Sequence, residues 1–255
     1  MTLPHALGIF GAGIVAGTIN TVVGSGTLFT FPVLLAFGYS PVTANVSNTV
    51  GLVPGSVSGA IGYRRELAGQ GERLLRLSTA SAAGGIVGAI LLLSLPPSAF
   101  KDIVPAFIVI ALVLIVLQPR IGRVLESYRA GRAREREREH LGLVSFLSVF
   151  ATGVYGGYFG AAQGIMLLAI LGLSLPDEDL QRVNAVKVVL AGLVNLIAGI
   201  VFVFAAHIAW LPALLIAVGS TIGGVLGARY GRRLPPAALR ALIVAVGIFA
   251  IVRLL

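Results

Sequence analysis

Long apolar runs alternate with short polar breaks along the chain, at 6–23, 27–38, 42–62, 77–95, 103–118, 142–159, 164–174, 183–206, 210–228 and 236–254. A helix needs about 20 apolar residues to cross a hydrocarbon core roughly 30 Å thick, whereas runs of about 10–14 are more often re-entrant. The 27–38 and 164–174 runs are too short to cross upright, and they hold corresponding places in the two halves of the chain. The pattern predicts an all-α polytopic membrane protein of two repeats, each a broken or re-entrant helical hairpin plus three spans. The first repeat is expected over 1–118, a basic cytoplasmic linker over 119–141 and the second repeat over 142–255.

The interruptions repeat too. Asn20 to Gly59 reads NTVVGSGTLFTFPVLLAFGYSPVTANVSNTVGLVPGSVSG, and Tyr155 to Gly199 reads YGGYFGAAQGIMLLAILGLSLPDEDLQRVNAVKVVLAGLVNLIAG. In each, a Gly-rich break leads into a short apolar run, a polar turn with Pro, and a longer apolar segment carrying Asn. Paired interruptions of this kind are the best sequence pointer to a transporter's binding site. A helix beginning after Gly24, Ser25, Gly26 and Thr27 would turn free N–H groups and its positive dipole end toward the break, a natural anion seat with two hydroxyls added. The second break, from Gly160 through Gln163 to Gly164, offers the same backbone and an amide. Close helix contact through small residues explains the same glycines without a ligand.

Beyond the breaks, Asn184, Lys187, Ala191 and Asn195 fall on one stripe of a helix that turns about 100° per residue. An offset of 139 residues gives Asn45, Asn48, Leu52 and Ser56, with Gly59 alongside. Polar side chains inside a membrane face either a cavity or a partner helix. Lys187 is one of two lysines, and every acid lies outside the apolar runs. Its expected counter-ion is an anionic substrate; snorkelling to the nearby interface is the alternative. Pro54 is expected to kink or break the 42–62 helix.

Composition narrows the class. The chain is 57% hydrophobic and 11% charged, against about 25% charged in soluble domains. The net charge of +9 does not point to nucleic acid, because the arginines sit in loops between apolar runs. Arg64, Arg65, Arg73 and Arg76 share one loop, Arg120 to Arg138 the linker, Arg182 a turn and Arg229 to Arg240 another. Such an excess marks the cytoplasmic side, so both termini and the 96–102 and 207–209 turns are expected outside. The first half then starts outside and the second inside, which makes the repeats inverted. The Arg/Glu alternation of the linker reads as a short solvated helix or a disordered connection. The N-terminus lacks the basic stretch of a signal peptide, so 6–23 reads as mature structure. With no cysteine, three scattered histidines and no acid in the spans, no metal, cofactor or catalytic constellation is expected, and an enzyme is disfavoured.

These stretches resemble the sulfite exporter TauE/SafE family, also called the four-toluene sulfonate uptake permease family. The resemblance rests on GSGTLFTFPVLLAFGYSPVTANVSNTVGLVPGS and GGYFGAAQGIMLLAILGLSLPDEDLQRVNAVK, and extends to WLPALLIAVGSTIGGVLGARYGRRLPP. It implies a multi-pass protein of a bacterial plasma membrane that moves small anions, notably sulfite, organosulfonates or related sulfur compounds. Where the family has a run of three glycines, this chain has Ser25-Gly26-Thr27 and Ala161-Ala162-Gln163.

The expected protein is therefore a secondary transporter for a small anion, rocking one half against the other in the lipid bilayer. Its expected site comprises Gly24, Ser25, Gly26, Thr27, Asn45, Asn48, Gly160, Gln163, Gly164, Asn184 and Lys187. Coupling to protons is expected from the need to move an anion against the membrane potential, and self-association into a homo-oligomer is open. A passive anion channel or uniporter and a non-transporting membrane scaffold are the alternatives.

Overall fold

The computed structural model describes residues 1–132, 140–175, 178–231 and 236–254, which form ten helices and no strand. They are α1 (Leu3–Val22), α2 (Thr27–Ala36), α3 (Pro41–Gly62), α4 (Gly71–Ser94), α5 (Pro97–Arg132), α6 (His140–Tyr158), α7 (Gln163–Ser174), α8 (Leu180–Ala205), α9 (Trp210–Tyr230) and α10 (Pro236–Leu254). Each apolar run becomes one helix, and the two short runs become α2 and α7, of 10 and 12 residues. By length and composition α1, α4, α5, α8 and α9 can each cross a membrane. At 22 residues α3 is long enough, but it is diluted by the buried Asn45, Ser47, Asn48, Thr49 and Ser56.

Helix ends follow local chemistry. The Ser40 hydroxyl accepts the Thr43 N–H at 3.3 Å, and Pro41 presets the first turn of α3. Asp179 likewise accepts the Gln181 N–H at 3.2 Å to open α8. Helix α1 stops because Gly24 takes φ +90° and sends its N–H back to the Ile19 carbonyl at 2.9 Å. Helix α6 stops in the same way, with Gly160 at φ +76° bonded to the Tyr155 carbonyl at 3.2 Å. Both are left-handed terminators of the kind glycine favours.

After each stop the chain folds back. The end of α2 returns to the start of α1, where Phe37 stacks on His5 with ring centroids 4.4 Å apart. The end of α7 returns to the start of α6, where the Ser145 and Ser174 hydroxyls lie 2.5 Å apart. Residues 6–38 and 142–174 thus each fold into an antiparallel helical hairpin.

Each hairpin leans on a helix of the other half. Gly13 and Gly17 of α1 meet Gly219 and Gly223 of α9, and a Cβ on Gly17 would come within 2.3 Å of the Ser220 carbonyl. Gly84 and Gly88 of α4 meet Gly153 and Gly157 of α6, and a Cβ on Gly88 would come within 2.1 Å of the Val154 carbonyl. Small residues four apart allow this backbone contact where lipid gives no hydrophobic drive. Helices α3 and α8 cross between these pairs, α3 also against α9 and α8 against α4. Helix α10 covers α2, α5 covers α7, and α5 and α10 touch each other. Large apolar side chains such as Ile90, Val113, Leu214 and Val225 remain on the outside, as lipid requires.

Of the two outcomes expected at Pro54, a break does not occur: α3 runs unbroken from Pro41 to Gly62. The proline frees the Val50 carbonyl, but Gly51 and Gly55 on either side are pressed onto Ile216 and Ser220 of α9, which holds the helix together. Helix α5 continues through Pro119 to Arg132, so the first part of the expected linker is helical, since Arg and Glu favour helix once past the apolar span. The remainder of the expected linker, 133–139, lies outside the described residues.

At the arginine-rich end, Glu178 ties two turns together. It accepts from Arg73 at 2.8 Å and Arg182 at 2.6 Å, while Arg182 also donates to the Ala68 carbonyl at 3.1 Å. The hydrogen bond from Arg73 leads in holding the Glu178 carboxyl below its usual range, with Arg182 adding to it.

Candidate functional site

The two breaks meet. Gly164 donates its N–H to the Gly24 carbonyl at 3.0 Å, and a Cβ on either residue would fall within 2.5 Å of the other's backbone. The starts of α2 and α7 are thereby brought side by side. Around the junction the N–H groups of Ser25, Gly26, Thr27, Ala161 and Ala162 have no acceptor among the described residues. Ser25 Oγ and Gln163 Nε2 are buried and also lack a partner. An unsatisfied buried polar group costs about 1–3 kcal/mol, so these unpartnered donors make the junction the candidate site.

Helix α8 holds the end of α1. Lys187 is fully buried, and its Nζ donates to the Asn20 carbonyl at 3.3 Å and the Thr21 carbonyl at 3.2 Å. Asn184 Nδ2 donates to the same Thr21 carbonyl at 3.3 Å. Lys187 does not snorkel; its ammonium caps the negative end of α1, where the last carbonyls lack helical donors. Among the described residues it is the only buried charged side chain, and no carboxylate there pairs with it.

Helix α3 holds the end of α6 in a related way. Asn45 Nδ2 donates to the Tyr158 carbonyl at 2.9 Å. Each long helix therefore ties down the broken hairpin of the other half. Asn48 behaves differently. Its Nδ2 donates to Thr27 Oγ1 at 3.2 Å and its Oδ1 accepts from Thr30, so it braces α2 against α3 within one half. Every residue of both stripes is buried, as the helical spacing predicts.

The structure thus gathers Gly24, Ser25, Gly26, Gly160, Gln163 and Gly164 at the junction, puts Asn184 and Lys187 at one hairpin tip and Asn45 at the other, and spends Asn48 and Thr27 on a brace. The sequence did not reveal Asn20 and Thr21 as partners, because they act through carbonyls, which every residue carries. Asn20 alone left a hint: a polar residue near the end of an apolar run, its side chain 3.3 Å from Ser56 Oγ. A cavity of about 350 Å³ opens at the mouth of the α6–α7 hairpin, lined by Arg73, Arg76, Ser145 and Ser174 among others. Among the described residues no group of three or more His, Cys, Asp or Glu could hold a metal ion.

Comparison with known proteins agrees with this architecture. The family model described as "Sulfite exporter TauE/SafE" matches residues 9–254. A probable membrane transporter protein, YfcA of Escherichia coli strain K12, is 26% identical over 232 residues, 90% of this chain and 82% of the relative. A probable membrane transporter protein, ORF9 of a Sinorhizobium species, is 28% identical over 249 residues, 97% of this chain and 91% of the relative. No solved structure matches significantly. With ten helices among its described residues, paired broken hairpins and a family match over nearly its whole length, this multi-pass membrane protein belongs to the sulfite exporter TauE/SafE family.

Proposed function

We propose that the protein is a secondary transporter that carries a small anion, sulfite, an organosulfonate or a related sulfur-containing anion, across the plasma membrane by alternating access. The observation that carries this reading is the Gly24–Gly164 contact, which sets the starts of α2 and α7 against each other with the free N–H groups of Ser25, Gly26, Thr27, Ala161 and Ala162 in the two breaks. Ser25 and Gln163 add side-chain donors. Charge favours an anion as well. Lys187 is fully buried and has no carboxylate partner among the described residues, so a bound anion is the counter-ion that would favour its ammonium form. The family membership and the relatives' description as probable membrane transporters support the transport class.

The positions of the hairpin mouths support inverted repeats. The first opens where Phe37 meets His5, at the opposite end of α3 from Arg64 and Arg65. The second opens beside the arginine-rich loop, where Arg76 approaches Gly142. With arginines inside, the first hairpin enters from outside and the second from the cytoplasm.

Flux in proteoliposomes against sulfite, thiosulfate, sulfonates, sulfate and acetate tests the proposal. Saturable uptake with counterflow is expected for at least one sulfur-containing anion. Absence of flux for every anion would exclude transport, and flux without saturation would leave a channel. An imposed pH gradient tests the proton as coupling ion: flux indifferent to the gradient excludes it.

A further inference from the structure

The breaks have two kinds of helix end, and an anion accounts for only one. Helices α2 and α7 begin at the breaks and turn N–H groups toward them; α1 and α6 finish there and turn carbonyls. At the end of α1 the carbonyls of Asn20 and Thr21 hold a cation, the Lys187 ammonium. Asn184 stands beside it, donating Nδ2 to Thr21 and leaving Oδ1 buried without a partner.

At the end of α6 the construction recurs without the cation. Asn45, fully buried, donates Nδ2 to the Tyr158 carbonyl at 2.9 Å and leaves Oδ1 without a partner. The residue matching Lys187 is Asn48, which turns away to Thr27 and Thr30. The Gly156 and Gly157 carbonyls of the last turn of α6 accept no hydrogen bond from any described residue: the Gly160 N–H reaches past Gly156 to Tyr155, and the Ala161 N–H makes no bond to Gly157.

We infer that this end of α6 is a site for a monovalent alkali cation, with Na⁺ as its natural occupant, held by Asn45 Oδ1 and the carbonyls of the last turn of α6. Lys187 is the tethered counterpart of that ion at the end of α1. Unwound carbonyls at a helix C-terminus in mid-membrane are suited to such an ion, and hard oxygen ligands without a carboxylate favour a single charge over a divalent ion. The inference rests on the anion-transport reading of the breaks: a bound Na⁺ beside a bound anion offsets its charge and couples its movement to the sodium gradient.

Thermal unfolding of the purified protein, with NaCl exchanged for choline chloride at constant ionic strength, tests the site. The wild type should show a saturable rise in midpoint of about 3–6 °C at Na⁺ about tenfold above its dissociation constant. Asn45→Leu should lose the response, and Asn184→Leu should keep it. Lys187→Met, which empties the matching place, should gain a second saturable phase. If Asn45→Leu does not fold, Asn45→Asp decides: a charged oxygen should retain the response at lower Na⁺. Equal wild-type midpoints in the two salts, or an undiminished response in Asn45→Leu, overturns the site. A Na⁺ response without anion flux sinks only the transport reading, whereas anion flux without a Na⁺ response sinks only the cation site.

Discussion

Gly164 and Gly24, 140 residues apart in sequence, are joined by a backbone hydrogen bond of 3.0 Å, so the tips of two separate hairpins are stitched to each other. Gly24→Ala would place a Cβ 2.5 Å from the Gly164 Cα, on a backbone already at φ +90°. Overpacking of this kind costs about 1–3 kcal/mol and the left-handed conformation about 1–2 kcal/mol more. The unfolding midpoint should fall by roughly 5–15 °C, and anion uptake should be lost. Gly11→Ala, with nothing within 4 Å of the new methyl, should match the wild type in both measurements.

Ser25→Ala separates a binding role from a structural one. The hydroxyl is buried and has no partner, so removing it deletes no intramolecular bond. Stability should stay level or rise by up to about 1–3 kcal/mol, while KM for the transported anion rises about tenfold. A stability loss with KM unchanged would assign Ser25 to the fold alone.

Lys187→Met keeps the volume and removes the charge. KM should rise at least about tenfold, the effect of about 1.4 kcal/mol, and the change should shrink for an uncharged analogue of the transported anion. Equal transport of anions by Lys187→Met and the wild type would leave the ammonium a cap of α1 and nothing more.

The Glu178 latch has a definite pH sign. Its carboxyl is held below the usual range chiefly by Arg73, so the folded form binds its proton less readily than the unfolded chain. The contribution is present above the unfolded carboxylate pKa of about 4.3 and is lost as pH falls through the lower folded value. At pH 7 Glu178→Gln should lower the midpoint by about 2–4 °C, the effect of about 1 kcal/mol for a partly exposed pair. Midpoints of the two proteins followed downward in pH should converge in the acid range. A gap that stays constant to the lowest pH would mean the latch is not electrostatic.

Much of this arrangement is legible in the sequence, for identifiable reasons. Run length separates α2 and α7 from the spans, because a short helix cannot reach across the hydrocarbon core. Helical spacing finds the buried stripes through Asn45 and Asn184, since all members of a stripe share one face. What spacing cannot give is direction at the tip of a side chain: Asn48 and Lys187 occupy matching positions, yet one braces its own hairpin and the other caps a foreign helix. Contacts made by carbonyls, as at Thr21 and Tyr158, have no residue signature at all. The Arg/Glu alternation leaves a helix and a disordered connection both open after residue 119, and α5 takes the helix as far as Arg132, because charge ends a membrane span without ending a helix.

The glycine contacts of α1 with α9 and of α4 with α6 bear on how such a molecule can change shape. These close backbone contacts favour α9 travelling with the first hairpin and α4 with the second in the proposed alternating-access cycle. The moving bodies of that proposed cycle would then not be the two halves of the chain, since each would have traded one helix with the other. A motion exposing the Gly24–Gly164 junction to either side would shear the crossing of α3 over α8. Substitutions that stiffen that crossing, and not those at the sequence boundary near residue 119, should trap the transporter facing one way.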